Sequence, residues 1–301
     1  MCAEGTRPGG PEPRRPPAPG GGRESFVVVP APAGTRFGPV SHFARIDSTN
    51  RYLLDEARRG APEGAVAVAD YQSAGRGRLG RRWEAPPGSN LLVSVLLRPA
   101  VASEELHLCT VAVALAAAAA CERAAGLAPD LKWPNDLMVG GRKLGGILAE
   151  ALPTPARGED APVVVVGLGL NVGWPPPDAE LGAELDDGLG DADSAQRRAV
   201  VLGATSLGRE TGTEPEPLGV LGLLLEELEE RLVDLAEAEG RRRLTAQYRR
   251  RCTTVGTPVR VSLADEVFTG TAADITAEGH LIVDVGTCLR TVAAGDVVHL
   301  R

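Results

Sequence analysis

The sequence predicts an α+β fold in two parts, and three observations carry that expectation. Apolar runs of strand length (Ala65–Tyr71, Leu91–Leu97 and Val163–Leu170) alternate with helical segments as far as Cys252. From Gly256 the pattern changes to brief alternating strands separated by turns, which is the spacing of a small β-barrel of SH3 size. Hydrophobic residues make up 43% of the 301, enough for a sizeable core, and aromatics at 3% leave Ala, Val and Leu to build it. At about 100–200 residues per domain, the length allows one large or two modest domains.

Taken in order, residues 1–24 are dominated by Pro and Gly, offer almost nothing apolar to bury, and are expected to be a disordered tail without a secretory signal. Ordered structure is expected from Phe26–Val29. Asp47-Ser48-Thr49-Asn50 supplies a polar N-cap for a helix carrying Tyr52, Leu53, Leu54 and Ala57, and Gly60 stops it. Ser103 is read as the cap of a long helix running to Ala125, with Gly126 as terminator. Its uncharged part, Val111–Cys121, is shorter than the ~20 apolar residues a membrane span needs.

Leu131–Trp133 and Leu137–Val139 read as short strands, and Gly140-Gly141 as a hairpin turn into Lys143–Ala151. Pro153–Pro162 reads as a surface loop, and Pro175–Asp193 as an acid-rich stretch without periodicity. Helices are expected over Ala195–Leu207 and Leu218–Glu239, with a short one ending near Cys252. Five strands then follow: Val259–Leu263, Val267–Ala273, Leu281–Val285, Leu289–Ala293 and Val297–Leu300. The division expected is a tail (1–24), a catalytic domain (25–254) and an SH3-like domain (255–301).

The formal charge of −8 argues against broad electrostatic binding to nucleic acid. Five scattered cysteines without a C-x-x-C pair indicate neither a metal cluster nor a disulfide framework, and favour a reducing cytoplasm. Against this acidic background, Gly75-Arg76-Gly77-Arg78-Leu79-Gly80-Arg81-Arg82-Trp83 concentrates four arginines with no acid between them. The glycines match G-x-G-x-x-G, but a dinucleotide fold needs a helix to open within them and an acid about 20 residues later. Glu84-Ala85-Pro86-Pro87 forbids the helix, and Leu96–Pro99 holds no acid. What remains is a flexible basic loop able to wrap an anion with backbone N–H groups and guanidinium forks.

A second cluster is Lys132-Trp133-Pro134-Asn135-Asp136, which alone would be an ordinary turn. If Gly140-Gly141 makes a hairpin, Lys143 folds back beside Asn135 and Asp136. Gly145 and Gly146 inside a strand point to close approach by a ligand or another backbone. The four histidines show no catalytic or metal-binding spacing, and no metal site is expected on the protein.

Asp47–Asn50, Gln72, Gly75–Trp83, Lys132–Asp136, Lys143–Ile147 and Gly167–Asn171 stand in the order and approximate spacing of biotin–protein ligases, so residues 41–173 densely resemble that family. The resemblance implies a mixed sheet with flanking helices, related to class II aminoacyl-tRNA synthetases, and a C-terminal SH3-like domain. It implies that biotin and MgATP give biotinyl-5′-AMP, whose acyl group passes to a lysine of a biotin carboxyl carrier domain. Ser48, Thr49, Asn50, Gln72, Arg76, Gly77, Arg78, Lys143, Gly145 and Gly146 would then bind biotin. Arg76, Arg78, Arg81, Trp83, Lys132, Asn135, Asp136 and Asn171 would meet ATP or the adenylate, with Lys143 and Arg78 as the catalytic cations.

Family members with an N-terminal DNA-binding domain need more chain than precedes Ser41 here, so a ligase without operator binding is expected, as a monomer or weak homodimer. The alternatives are a lipoate- or octanoate-handling enzyme of the same fold and a non-catalytic biotin sensor.

Overall fold

A computed structural model describes residues 25–152, 162–177 and 201–300. The tail 1–24, most of the loop expected at Pro153–Pro162, most of the acid-rich stretch, and the start of the helix expected over Ala195–Leu207 lie outside the described residues. The rest of that helix is corrected: the chain leaves the helix after Leu202, Ala204 bridges Lys143, and a new helix is capped by Ser206.

An eight-stranded sheet forms the larger part. Its strands are β1 (Val27–Val29), β2 (Val40–Phe43), β3 (Val66–Ala69), β4 (Leu91–Leu97), β5 (Asp130–Lys132), β6 (Asp136–Val139), β7 (Arg142–Ala151) and β8 (Val164–Leu170). The order is β1-β2-β3-β4-β8-β7-β6-β5. Only β2 and β3 run parallel, so the sheet is mixed. Strand β2, short and half polar, had escaped the sequence reading.

Alternation along the strands gives the sheet two unlike faces. Helix α1 (Thr49–Arg58) seals one of them with Leu53, Leu54 and Ala57 against Phe43, Ala67, Leu96 and Val165. Helix α2 (Leu108–Ala125) covers the other and is itself covered by α4 (Pro217–Ala236). Its alanines let sheet and helix approach closely. A single turn, α3 (Leu207–Thr211), precedes α4, and α5 (Ala238–Arg251) follows it and leads out of the sheet domain.

One expectation about α2 is corrected. Ser103 opens a 3-10 turn (Ser103–Glu105) and donates no side-chain cap, so the α-helix proper starts at Leu108. Counted with that turn, Ser103–Ala125 is 23 residues long and contains a window of mean hydropathy 1.6, long and apolar enough to cross a bilayer by length and composition alone. The apolarity is used in the core, where every residue from Val111 to Ala118 is buried. The C-terminus follows expectation, with Gly126 left-handed at φ 67°.

Beyond α5, β9 (Pro258–Ser262), β10 (Val267–Ile275), β11 (Leu281–Asp284), β12 (Leu289–Val292) and β13 (Asp296–His299) form a five-stranded antiparallel sheet, ordered β12-β11-β10-β9-β13. Val259, Val261, Ala272, Leu281 and Val283 close its core. Trp133 plugs the junction of the two parts. Its indole N–H donates to Gly279 O at 3.1 Å, and its backbone N–H to Thr254 Oγ1 at 3.0 Å.

Candidate active site

The site lies on the α1 face of the sheet, where that face loses its side chains. Gly146 of β7 pairs with Gly169 of β8, and Gly167 pairs with Leu148. A Cβ on Gly169 would lie 2.4 Å from Trp83 Cε2, and one on Gly167 would lie 2.2 Å from Asn50 Oδ1. These strands carry glycine because other groups rest directly on their backbone. Gly145 points the other way, toward Leu137 and Leu170, so its smallness serves the core.

At one end of this glycine floor sits a neutral polar cluster. Ser48 caps α1, its oxygen accepting from Arg51 N at 3.5 Å. Thr49 donates to Gln72 Oε1 from both its backbone N–H (2.8 Å) and its hydroxyl (3.0 Å). Ser94 Oγ lies 2.7 Å from Thr49 Oγ1 and 2.6 Å from Asn50 Oδ1, to which it donates. Ser48, Thr49, Asn50 and Ser94 are all buried. The cluster is assembled from α1, β4 and the segment after β3, which join through the Ile46–Gln72 bridge.

At the other end is a group of cations. Lys143 Nζ donates to Asp136 Oδ1 at 2.6 Å and stands 5.6 Å from the centre of the Trp83 ring. The hairpin at Gly140 (φ 55°) and Gly141 (φ 79°) brings Lys143 back, as the sequence predicted. Gly146 lies beneath, so near that a Cβ would come within 3.0 Å of the ammonium.

Residues 75–83 bridge the two ends as a hairpin. Gly77 N donates to Arg81 O, Trp83 N to Gly75 O, and Arg76 bridges Arg82. A 3-10 turn (Arg78–Gly80) makes the tip, with Leu79 left-handed at φ 56° and exposed. Arg78 donates to Asn135 Oδ1 at 3.1 Å and to Gly295 O of the C-terminal sheet at 2.8 Å. Its pKa is lowered by burial, against which Asp296 and Asp136 act. Arg81 pairs with Asp296 at 2.8 Å, and Arg76 reaches Glu150 of β7 at 3.1 Å. Trp83 Nε1 is buried without a hydrogen-bond partner.

Two predicted residues are used inside the scaffold. The Asn171 carboxamide accepts from Asn90 and donates to Thr205 O, so it braces the backbone under Lys143. The Asn50 carboxamide is divided among Ser94, Leu148 O and Glu150. Burial first and then the charge of Lys132 lower the pKa of His299 in the C-terminal sheet. Burial pushes Cys109 and Cys121 up to about 12, which keeps both thiols inert.

The sequence reading missed Ser94, Glu150, Gly295 and Asp296. Ser94 and Glu150 left a trace, since Ser94 is the lone polar residue of its apolar strand and Glu150 is the single acid of β7, four residues and hence one face from Gly146. Nothing local marks Gly295 or Asp296.

Residues 42–171 match the biotin/lipoate A/B protein ligase family, and residues 254–300 match the biotin protein ligase C-terminal domain. The biotin–[acetyl-CoA-carboxylase] ligase of Mycobacterium tuberculosis is 36% identical over 275 residues, 89% of this chain and 92% of that protein. The chain belongs to the biotin–protein ligase family. The bifunctional ligase/repressor BirA of Bacillus subtilis is 30% identical, over 84% of this chain and 71% of its own length. Among solved structures, the biotin protein ligase from Aquifex aeolicus in complex with biotin and ATP shares the fold at a TM-score of 0.66. That pair is 24% identical, and the match covers 87% of this chain and 98% of that one.

Proposed function

We propose that the site activates biotin with ATP as biotinyl-5′-AMP and passes the acyl group to a lysine of a carboxylase's biotin carboxyl carrier domain. The observation that carries this reading is one floor of bare glycine backbone with a neutral buried cluster at one end and cations at the other. Biotin's ureido group is neutral, with two N–H donors and a carbonyl acceptor, and Ser48, Thr49 and Gln72 match it with short polar groups. Its carboxylate and the triphosphate are anions, and Lys143, Arg78 and Arg81 stand at that end, with Arg76 at the base of the same loop.

In the first step a carboxylate oxygen attacks the α-phosphorus and the bond to pyrophosphate breaks. Two anions must approach, so a fixed ammonium and guanidiniums lower the barrier by offsetting both charges. Lys143 is held for this by Asp136, and Arg78 by Asn135 and Gly295. In the second step the carrier's lysine amine attacks the acyl carbon and AMP leaves. The loop excludes water from the mixed anhydride in between. The adenine side falls to Trp83.

Magnesium fits this site only as part of MgATP. No group of three or more His, Cys, Asp or Glu side chains is assembled among the described residues. Asp136, beside Lys143, and Asp296, beside Arg81, are carboxylates near where the phosphates would lie, and magnesium is commonly held by one or two carboxylates plus substrate phosphates.

Residues 25–254 would carry the chemistry and 255–301 would support the loop, in a monomer or weak homodimer of a reducing cytoplasm. With a charge of −8, operator DNA is not the expected partner, and a gel shift on a biotin-operon promoter should stay negative. Incubation with labelled biotin, ATP and an apo carrier domain tests the main reading. Label should appear on the carrier; an unlabelled carrier, with lipoate accepted in place of biotin, would overturn it.

A further inference from the structure

The arginine loop is fixed at two places. Its tip rests on the C-terminal sheet, and its base rests on Glu150, a residue of the catalytic sheet to which the reaction described above gives no part. Glu150 is a quarter exposed and stands at the edge of the glycine floor. Its carboxylate is not free to wander. Asn50 Nδ2 donates to Glu150 Oε2 at 2.8 Å and to Leu148 O at 3.1 Å, while Asn50 Oδ1 accepts from Ser94 at 2.6 Å. Gly167 lies beneath Asn50 with no space for a Cβ, so that carboxamide is held on every side. The result is an ordered chain, Ser94 to Asn50 to Glu150, ending on the guanidinium of Arg76 at 3.1–3.2 Å.

An ordinary ion pair at the surface contributes little, because two long side chains must be ordered to form it. Here the carboxylate is ordered beforehand by a buried neutral network, so only Arg76 loses freedom. Arg76 is the first arginine of the loop and bridges Arg82 across the hairpin. Holding it fixes the base of the loop relative to β7, which also carries Lys143 and Gly146.

We propose that Glu150, set by Asn50, is a positioning residue that anchors the base of the loop and so controls how long the acyl-adenylate stays enclosed. The chain gives the neutral cluster and the loop a common support: the side chain of Asn50 joins Ser94, which touches Thr49, to the carboxylate that holds Arg76. Order in the biotin end is thereby passed to the lid. This inference rests on the ligase reading.

The test is Glu150→Gln in the full chain. The new carbonyl oxygen still accepts from Asn50, while the amide offers Arg76 no charge. Biotinyl-AMP is formed on the enzyme with labelled biotin and ATP, and its release is followed by chromatography and by labelling of a bystander protein. Release from the variant should be faster by about fivefold, the size of one ordered charge pair. The thermal midpoint should be unchanged, and Glu150→Asp should recover part of the retention. Equal release from wild type and Glu150→Gln would overturn the proposal. Failure of the wild type to form any adenylate would instead overturn the ligase reading.

Discussion

The two ends of the glycine floor solve opposite problems. Around Thr49 the partners are neutral, short and buried, and they come from three neighbouring segments of one sheet domain. Around Lys143 they are charged, long and partly exposed, and they draw on both domains. A neutral ligand must be recognised by the geometry of hydrogen bonds, which needs rigid side chains that are already ordered. Phosphates and carboxylates are attracted by charge at longer range, so long flexible cations suffice if something orders them at the moment of reaction. The molecule thus separates shape recognition from charge handling.

The largest break in this contrast should come from Lys143→Ala. Adenylate formation is expected to fall by roughly 10²–10³, the cost of removing one charge-stabilising donor. Biotin binding measured without ATP should change little, and a large loss there would mean that the two ends are not separate. Gly169→Ala attacks the middle of the floor, because its methyl would lie 2.4 Å from the Trp83 ring. Trp83 must move, so the ATP KM should rise by about tenfold, the loss of one well-seated contact of about 1.4 kcal/mol. An unchanged ATP KM would remove Trp83 from the nucleotide side.

Thr49→Val tests the neutral end. It deletes the hydroxyl between Gln72 and Ser94, and the biotin KM should rise by about fivefold, within the range of one lost neutral hydrogen bond. Salt sharpens the contrast without mutation. Raising ionic strength should weaken ATP binding, through exposed Arg81 and Arg76, more than biotin binding to the buried cluster. The smallest effect is expected from Ser48→Ala. Its capping bond is long at 3.5 Å, so the stability loss should lie at or below the typical ~1 kcal/mol of a cap, read as a small shift in Tm.

The contrast also explains what could be read from the sequence. The cap at Ser48, the hairpin at Gly140-Gly141 and the strands Leu91–Leu97 and Lys143–Ala151 follow from local chemistry, and all are present. The roles of Asn50 and Asn171 were harder, because an asparagine near a ligand and one that braces a loop look alike in sequence. Only burial separates them, and both are 4% exposed. The start of α2 was misplaced because Ser103 has the composition of a cap, whereas the chain makes a 3-10 turn first. Gly295 and Asp296 were beyond reach, since their partners in the loop are 217 and 215 residues away.

That separation has a consequence for synthesis. Arg78 takes one acceptor from Asn135, 57 residues downstream, and the other from Gly295, 217 residues downstream. A ribosome that has delivered the whole mixed sheet has therefore produced Lys143 but only half the grip on Arg78. A chain interrupted before Gly295 would carry an unlatched loop, so the order of translation itself withholds a finished clamp from unfinished products.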